Sequence, residues 1–475
     1  MLSAHVKTFF VDGRNLVSDS RQVMPGDVFV ACRGAHVDGR HYIDQAVQRG
    51  AGLILYDPAD NFIPPPDLKT PMESIDVLEQ KVASLAEQFY EYPSTGLKLV
   101  GVTGTNGKTS VTQLLAQALH ALRKPCGVLG TIGNGVWPQL VPSGLTTLDP
   151  CALQKIFHQF RREHCDTVAM EVSSHGLDQN RLGSTQLDIG VFTNFSQDHL
   201  DYHHTMAEYG LAKAKMFDQY VGRVAMLNAD DAQMALMRSH CAAHLTVMTF
   251  GIAHSADIQL QHHQALPEGF AIRVATPWGS LKATVALLGT FNLSNILAVI
   301  GILGNWGYSV GDITTALSQC HGVTGRMEFI HQQPLVIIDY SHTPDALQKA
   351  LQAARVHCKG KLMVVLGCGG DRDRGKRPMM ARIAEQYADV VMVTEDNPRT
   401  EDPLQIVADM ITGFHSPKSI LFEPNRVQAI ARILSQATTH DTVLLAGKGH
   451  ECYIIRGGTK EPFSEHEVVR SFYRR

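Results

Sequence analysis

No uninterrupted apolar run in this chain reaches the roughly 18 residues needed to cross a bilayer; the longest are strand-sized, so no membrane span is expected. An excess of positive charge is missing as well. The 42 Lys and Arg against 46 Asp and Glu leave a formal net charge of -4, without the basic field a nucleic-acid-covering protein needs. The nine cysteines (Cys32, Cys126, Cys151, Cys165, Cys241, Cys320, Cys358, Cys368 and Cys452) fall into no paired metal-ligand spacing. Neither a zinc site nor a disulfide framework follows, and reduced thiols in a cytosol are expected. Met1 to Phe10 carries His5 and Lys7 and no apolar stretch, so no export leader is expected. Internal repeats and low-complexity segments are absent.

What is present is a long α/β pattern. At 475 residues the chain exceeds what one core supports, and the expected division is 1–94, 95–328 and 329–475. The apolar runs Val28 to Ala31 and Leu53 to Tyr56, with helical spacing from Tyr42 to Arg49, predict a small α/β unit before the proline-rich Ile63 to Pro66. Lys98 to Val102 reads as a buried strand, followed by a glycine-rich turn and a helix marked by Val111, Leu114, Leu115, Ala118, Leu119 and Leu122. Further strands at Thr167 to Met170, Ile189 to Phe192 and Val224 to Leu227 each stop at a polar cluster, as parallel sheets do where chemistry sits at strand ends. After Arg326 the pattern restarts with Val336 to Ile338, Leu362 to Leu366, Val390 to Val393 and Val443 to Ala446, the strands of a second open, Rossmann-like sheet.

Between the first strand and its helix lies Thr103-Gly104-Thr105-Asn106-Gly107-Lys108-Thr109. Small residues let backbone N–H groups approach phosphate oxygens, Lys108 supplies counter-charge, and Thr109 at a helix N-terminus is a magnesium-ligand candidate. The segment departs from G-x-x-x-x-G-K-[ST], because Val102 stands where the first glycine would be. Phosphoryl transfer needs divalent cations held by oxygen-rich ligands, which singles out Glu171 at one strand end and His199 after another. His203 and His204 read as structural. Lys213 and Lys215, on residue pattern alone, read as surface lysines.

Thr103 to Thr109, Glu171-Val172-Ser173-Ser174-His175, Asp198-His199-Leu200-Asp201-Tyr202-His203 and Gly325-Arg326-Met327-Glu328 together resemble the Mur ligase family. The resemblance spans nearly the whole chain, including Asp19-Ser20-Arg21 and Pro25 to Ala31, which look like that family's UDP-binding domain. It implies a monomeric enzyme of the bacterial cytoplasm that uses ATP and Mg2+ to activate a UDP-muramoyl-peptide carboxylate as an acyl phosphate. An incoming amine then displaces phosphate. The expected fold is a small N-terminal UDP-binding domain, a central P-loop ATPase-like domain and a C-terminal Rossmann-like domain.

The resemblance also implies site residues. Lys108, Glu171, His199, Lys213 and Arg326 would carry catalysis, with Gly104, Thr105, Asn106, Gly107, Thr109, Asn292, Asn295 and Asp339 completing the ATP contacts. Magnesium would be held by Thr109, Glu171, His199 and a carbamylated Lys213, which sits in Ala212-Lys213-Ala214-Lys215-Met216-Phe217 with Met216 where the family has Leu. Ser18, Ser20, His36, Thr146, Thr147, Ser173, Gln179 and Arg181 would contact the UDP-muramoyl-dipeptide, and Leu145 stands where the family often has Asn. Asp396-Asn397-Pro398-Arg399 looks like the signature of diaminopimelate-adding members. With Arg372, Gly447 and Glu451, it would hold meso-diaminopimelate. An arginine fork can pair with the second carboxylate that distinguishes this acceptor from lysine. The competing readings are a lysine-adding member, a folylpolyglutamate synthase and a nucleotide-driven switch; for Arg399 itself it is a surface salt bridge with Glu401 or Asp402.

Overall fold

The computed structural model describes residue 9 and residues 13–34, 37–66, 68–266, 268–416, 418 and 420–474. His36 lies outside them. The chain divides into two compact units, Met1–Ala256 and Asp257–Arg475.

The first unit begins with a four-stranded parallel sheet of Leu16–Val17, Val28–Ala31, Leu53–Tyr56 and Met72–Ser74, paired in chain order. Successive side chains point to opposite faces. Val28, Val30, Leu53 and Leu55 therefore pack under the helix Leu78–Phe89, while Phe29, Ala31 and Ile54 pack with Ile43 and Ala46 on the other side. The predicted helix from Tyr42 to Arg49 forms over Ile43–Gln48, preceded by a 3-10 turn.

The other strands of this unit lie side by side in the order Thr246–Gly251, Val221–Asn228, Leu187–Phe192, Lys98–Thr103, Thr167–Glu171, Gly127–Leu129 and Asn134–Val136. Every pairing is parallel except the last. The phosphate-loop strand Lys98–Thr103 is central, and its loop emerges at the carboxyl edge beside the ends of Thr167–Glu171 and Leu187–Phe192. The helix Pro150–Arg162 starts where Asp149 accepts hydrogen bonds from the N–H groups of Cys151 and Ala152, with Pro150 at a position that needs no donor. Its Leu153, Phe157 and Phe160 are fully buried against the sheet; each such side chain contributes about 1.5–3 kcal/mol of burial free energy.

The second unit opens with an antiparallel meander, Ile258–Leu266, Gly269–Thr276 and Gly279–Val285, that the sequence reading did not resolve. Its alternation is blurred because Gln261, His262, His263 and Gln264 are all exposed. The helix Phe291–Asn305 follows. A six-stranded sheet then runs Glu328–Gln332, Leu335–Asp339, Thr442–Ala446, Leu362–Leu366, Val390–Val393 and Leu421–Phe422, parallel apart from its first pair. Buried side chains cover both of its faces, which is why its strands read as continuous apolar runs rather than alternating ones. A hairpin of Tyr453–Arg456 and Thr459–Pro462 lies beyond the last long strand. No helix among the described residues is long and apolar enough to cross a membrane.

Candidate active site

In the first unit, the shape of the phosphate loop is fixed by one glycine conformation and by bonds to the neighbouring strand end. Gly104 adopts φ +144°, and a Cβ built there would lie 1.9 Å from Thr193 Oγ1. Only glycine fits. The amide of Thr105 donates to Asn194 O, and that of Asn106 to Asn194 Oδ1 at 2.9 Å, so the loop is laced to the next strand end. Lys108, first residue of the helix Lys108–Ala121, folds back and donates to the carbonyl oxygens of Gly104 and Thr105 at 2.8 and 3.0 Å.

Thr109 Oγ1 donates to Glu171 Oε1 at 2.9 Å. The carboxylate of Glu171, 2% exposed, also accepts from the amide of Thr131 at 2.8 Å and from the Thr131 hydroxyl at 3.2 Å. Thr131 was missed from sequence because it follows a short strand with no glycine-lysine signature. Its hydroxyl is 3.0 Å from that of Thr146, which ties Thr146 to the same network.

Lys213, read from residue pattern as a surface lysine, is 1% exposed. The helix Met206–Lys215 turns this residue inward, where Nζ donates to Gly104 O at 3.1 Å and lies 4.3 Å from the centre of the Tyr209 ring. Burial, reinforced by the nearby Lys108 ammonium, holds its pKa well below the ordinary lysine value. Lys215 points away and pairs with Asp178 at 2.8 Å on the surface.

His199 takes φ +53° ahead of the short helix Leu200–His203, a conformation that leaves its side chain 43% exposed, with Nε2 3.5 Å from Asp198. Burial lowers its pKa, and Asp198 opposes that shift. Its ring centre lies 4.9 Å from that of His175, whose pKa burial pushes down to about 4, with His199 and His203 adding to the effect. His203 is buried and bonded to Ser174 Oγ at 2.9 Å, matching the structural role expected for it.

The remaining first-unit positions divide into scaffold and surface. Thr147 is buried, donating to Glu171 O at 2.9 Å and accepting from the Ser173 amide at 3.0 Å. Ser173 caps the helix Ser174–Asp178. Arg181 donates to Thr147 O at 2.6 Å and to Gln179 Oε1, so these side chains form one strip below Glu171. Ser18 donates to Asp149 at 3.1 Å and Ser20 to Gln45 at 2.6 Å.

Two clusters stand at the strand ends of the second unit. In one, the Arg326 guanidinium lies over the Tyr340 ring at 4.7 Å, with its Nε buried and unpartnered among the described residues. Asp339 accepts from the Met327 amide at 2.7 Å; burial raises its pKa and Arg326 opposes that rise. Asn292 donates to Leu288 O at 2.9 Å and Asn295 to Asn292 Oδ1 at 2.9 Å, so neither serves as a helix cap. His450 packs 5.0 Å from Tyr340, centre to centre, with a buried, unpartnered Nδ1 among the described residues.

The other cluster joins most of the Asp396–Arg399 string to Glu451 through a residue the sequence reading left without a role. Lys448, 0% exposed, donates to Asn397 Oδ1 and Glu451 Oε2, both at 2.8 Å, and sits 3.8 Å from Asp396. Asn397 Nδ2 completes the triangle by donating to Glu451 Oε2 at 2.8 Å. Arg399 takes φ +54°, and Nη1 donates to Gly370 O at 2.7 Å. Neither Glu401 nor Asp402 pairs with it: Glu401 is held by Arg377, and Asp402 caps the helix Pro403–Ile411. The surface salt bridge is thereby overturned, and no acidic side chain pairs with Arg399 among the described residues. Pro398 is buried beside it, Gly447 lies against Asp396, and Arg372 is exposed.

Comparison with known proteins matches three family profiles: Mur ligase family, catalytic domain, over residues 14–91; Mur ligase middle domain over 102–303; and Mur ligase, glutamate ligase domain, over 325–449. A curated relative from Ectopseudomonas mendocina, the UDP-N-acetylmuramoyl-L-alanyl-D-glutamate--2,6-diaminopimelate ligase, is 46% identical over 455 residues, covering 95% of this chain and 93% of its own. A solved structure of a ligase with that same name is 33% identical with TM-score 0.69, covering 97% of this chain and 94% of its own. A MurF ligase from Thermotoga maritima in complex with ADP shares the fold at 17% identity, TM-score 0.68 and 97% coverage of both chains.

Proposed function

The chain belongs to the Mur ligase family, and we propose that it is the ATP-dependent ligase joining meso-2,6-diaminopimelate to UDP-N-acetylmuramoyl-L-alanyl-D-glutamate in peptidoglycan precursor synthesis. The observation that carries the choice of acceptor is Arg399. Its guanidinium is anchored on a main-chain carbonyl, has no acidic partner among the described residues, and shares a loop with the Asn397, Lys448 and Glu451 network. A partly buried arginine fork without a carboxylate suits an acceptor that brings its own. Lysine has its α-carboxylate but lacks the second, distal one that would pair with Arg399. The relatives at 42–46% identity also carry the diaminopimelate name, which disfavours the lysine-adding alternative.

The chemistry divides in two. In the first step, an oxygen of the terminal substrate carboxylate bonds to the γ-phosphorus of ATP, the bridge to the β-phosphate breaks, and ADP leaves with an acyl phosphate formed. In the second, the acceptor amine bonds to that carbonyl carbon, phosphate departs and the amine loses a proton. Positioning and charge compensation are the protein's contribution. Lys108 and the start of the helix Lys108–Ala121 suit the phosphate chain, and the bonds from Lys108 Nζ to the carbonyls of Gly104 and Thr105 hold that ammonium at the loop. Arg326, with a buried Nε lacking a partner, and Asp339 are proposed second-unit contacts to nucleotide, together with Asn292 and Asn295.

Magnesium fits the donor set. The Thr109 hydroxyl and Glu171 carboxylate offer two oxygen ligands at a helix N-terminus. Such a partial shell suits a cation that keeps waters and takes phosphate oxygens. Bound magnesium would offset charge on the transferring phosphoryl group. Thr109, Glu171 and His199 are the proposed ligands, joined by Lys213 as a carbamate. The neutral amine is the form that can add carbon dioxide, and burial, with Lys108 nearby, shifts Lys213 toward that form by holding its pKa below the ordinary lysine value. The UDP-muramoyl-dipeptide is assigned to Ser18, Ser20, Thr146, Thr147, Ser173, Gln179 and Arg181, and a functional division at 1–94, 95–328 and 329–475 follows from these roles.

The test is phosphate release with ATP, magnesium and UDP-muramoyl-L-Ala-D-Glu, comparing the two acceptors. Release with diaminopimelate and not with L-lysine is expected. Release with lysine alone overturns the role of Arg399, and release with neither overturns the ligase reading.

A further inference from the structure

We propose that Arg377 is a positioning residue for the amino-acid acceptor, acting through the two loops that present Arg399. This rests on reading Arg399 as the receptor for the acceptor's distal carboxylate. Arg377 lies on the helix Lys376–Tyr387 and is 0% exposed. Its guanidinium donates from Nη2 and Nη1 to the two oxygens of Glu401 at 2.8 and 3.0 Å, from Nη1 to Asp409 at 2.8 Å, and from Nη2 to Gly369 O at 3.2 Å. It therefore grips both the loop after Leu362–Leu366 and the loop after Val390–Val393.

The same two loops are stitched at every step between these anchors. The Gly370 amide donates to Asn397 O at 2.9 Å, and Arg399 Nη1 donates back to Gly370 O at 2.7 Å. The Asp371 amide donates to Glu401, and the Thr400 hydroxyl donates to Asp371 at 2.8 Å. A Cβ at Gly370 would lie 1.9 Å from Pro398 O, so the backbones touch with no room for a side chain. The carbonyl that orients Arg399 thus belongs to the residue after the one Arg377 holds. The carboxylate bonded to Arg377 belongs to the residue two after Arg399.

Stability alone is a poor reason for this arrangement. Burying a guanidinium costs desolvation that attraction to the partly exposed Glu401 and Asp409 often fails to repay, and well-packed apolar residues commonly do as well. An arginine fork does what an apolar group cannot: it fixes two loops at a defined separation. Precise placement of a contacting side chain depends on such supporting bonds.

The experiment compares wild type, R377K and D409N by phosphate release with ATP, the UDP-muramoyl-dipeptide and each acceptor, alongside thermal unfolding. Wild type tests the underlying reading: no preference for diaminopimelate overturns the role of Arg399 whatever the variants do. Given that preference, R377K keeps the charge but loses the fork. It is expected to raise the KM for diaminopimelate about tenfold and to lower the diaminopimelate-to-lysine ratio of kcat/KM as much, with the KM for ATP within about twofold. An unchanged diaminopimelate KM overturns the proposal. So does a parallel rise in the KM of all three substrates with a lowered Tm, which marks a purely structural role. Should R377K fail to fold, D409N removes one partner while sparing Glu401; a raised diaminopimelate KM there supports the proposal, and an unchanged one overturns it.

Discussion

Lys108 Nζ and Lys213 Nζ both donate to the carbonyl oxygen of Gly104, at 2.8 and 3.1 Å. Burial disfavours a charge on Lys213, and the Lys108 ammonium beside it adds repulsion, so its pKa is held well below the ordinary lysine value. Carbamylation would turn that repulsion into attraction, because Lys213 would then carry a negative group beside the Lys108 ammonium.

Activity should accordingly depend on carbon dioxide. Exhaustive removal of bicarbonate is expected to lower ligation and its return to restore it. Lys213→Ala should reduce kcat/KM about a hundredfold or more and abolish the bicarbonate response. Lys215→Ala, which loses only the exposed pair with Asp178, should stay within about 0.5 kcal/mol of wild-type stability and respond normally. Steady-state rates in degassed and bicarbonate-supplemented buffer check all three.

Gly104→Ala places a Cβ against Thr193 Oγ1 at φ +144°. The strained conformation costs about 1–3 kcal/mol before any steric displacement is added. A lowered Tm with a weakened response to ATP in thermal shift is expected.

Arg399→Lys keeps a positive charge and removes the fork. Loss of one charge-assisted bond to the distal carboxylate, about 1.5–3 kcal/mol, should lower kcat/KM for diaminopimelate about tenfold to a hundredfold. Activity with lysine should change little, and initial rates with both acceptors measure the ratio.

Lys448→Met leaves Glu451 and Asn397 Oδ1 without the ammonium that joins them. Breaking a buried charge pair from one side costs about 3–5 kcal/mol, so the urea midpoint should fall markedly and the KM for diaminopimelate should rise.

His450 titrates near 4 in the folded protein, held down by burial and by Arg326, against an ordinary value of 6.5. Its folded pKa lies below its unfolded one, so the unfolded chain binds the extra proton. Stability from this group is complete above about pH 6.5 and is lost as pH falls toward 4. His450→Gln should flatten the pH dependence of urea unfolding in that window.

How far the sequence reached differs between residues. The phosphate loop was legible because its glycine-lysine-threonine run, the preceding strand and the following helical period all agree within some twenty residues, and local signals survive without knowledge of the fold. The meander at 258–285 was not legible, because exposed polar residues broke its alternation. Lys448 was visible only as a letter in a glycine-rich string, since its partners Asn397 and Asp396 lie about fifty positions away.

By itself the sequence determined the α/β class, four strands of each open sheet, the phosphate loop and the family, because each rests on a local period or a contiguous ordered string; the short strands Gly127–Leu129 and Leu421–Phe422 carry too few residues to show one. Only the tertiary structure decided that Lys213 is buried while Lys215 is not, that Arg399 rests on Gly370 O rather than on Glu401, and that Arg377 holds both loops. Those outcomes depend on which distant residues meet at strand ends. Burial and pairing of a charge are properties of the assembled surroundings, and no periodicity along the chain encodes them.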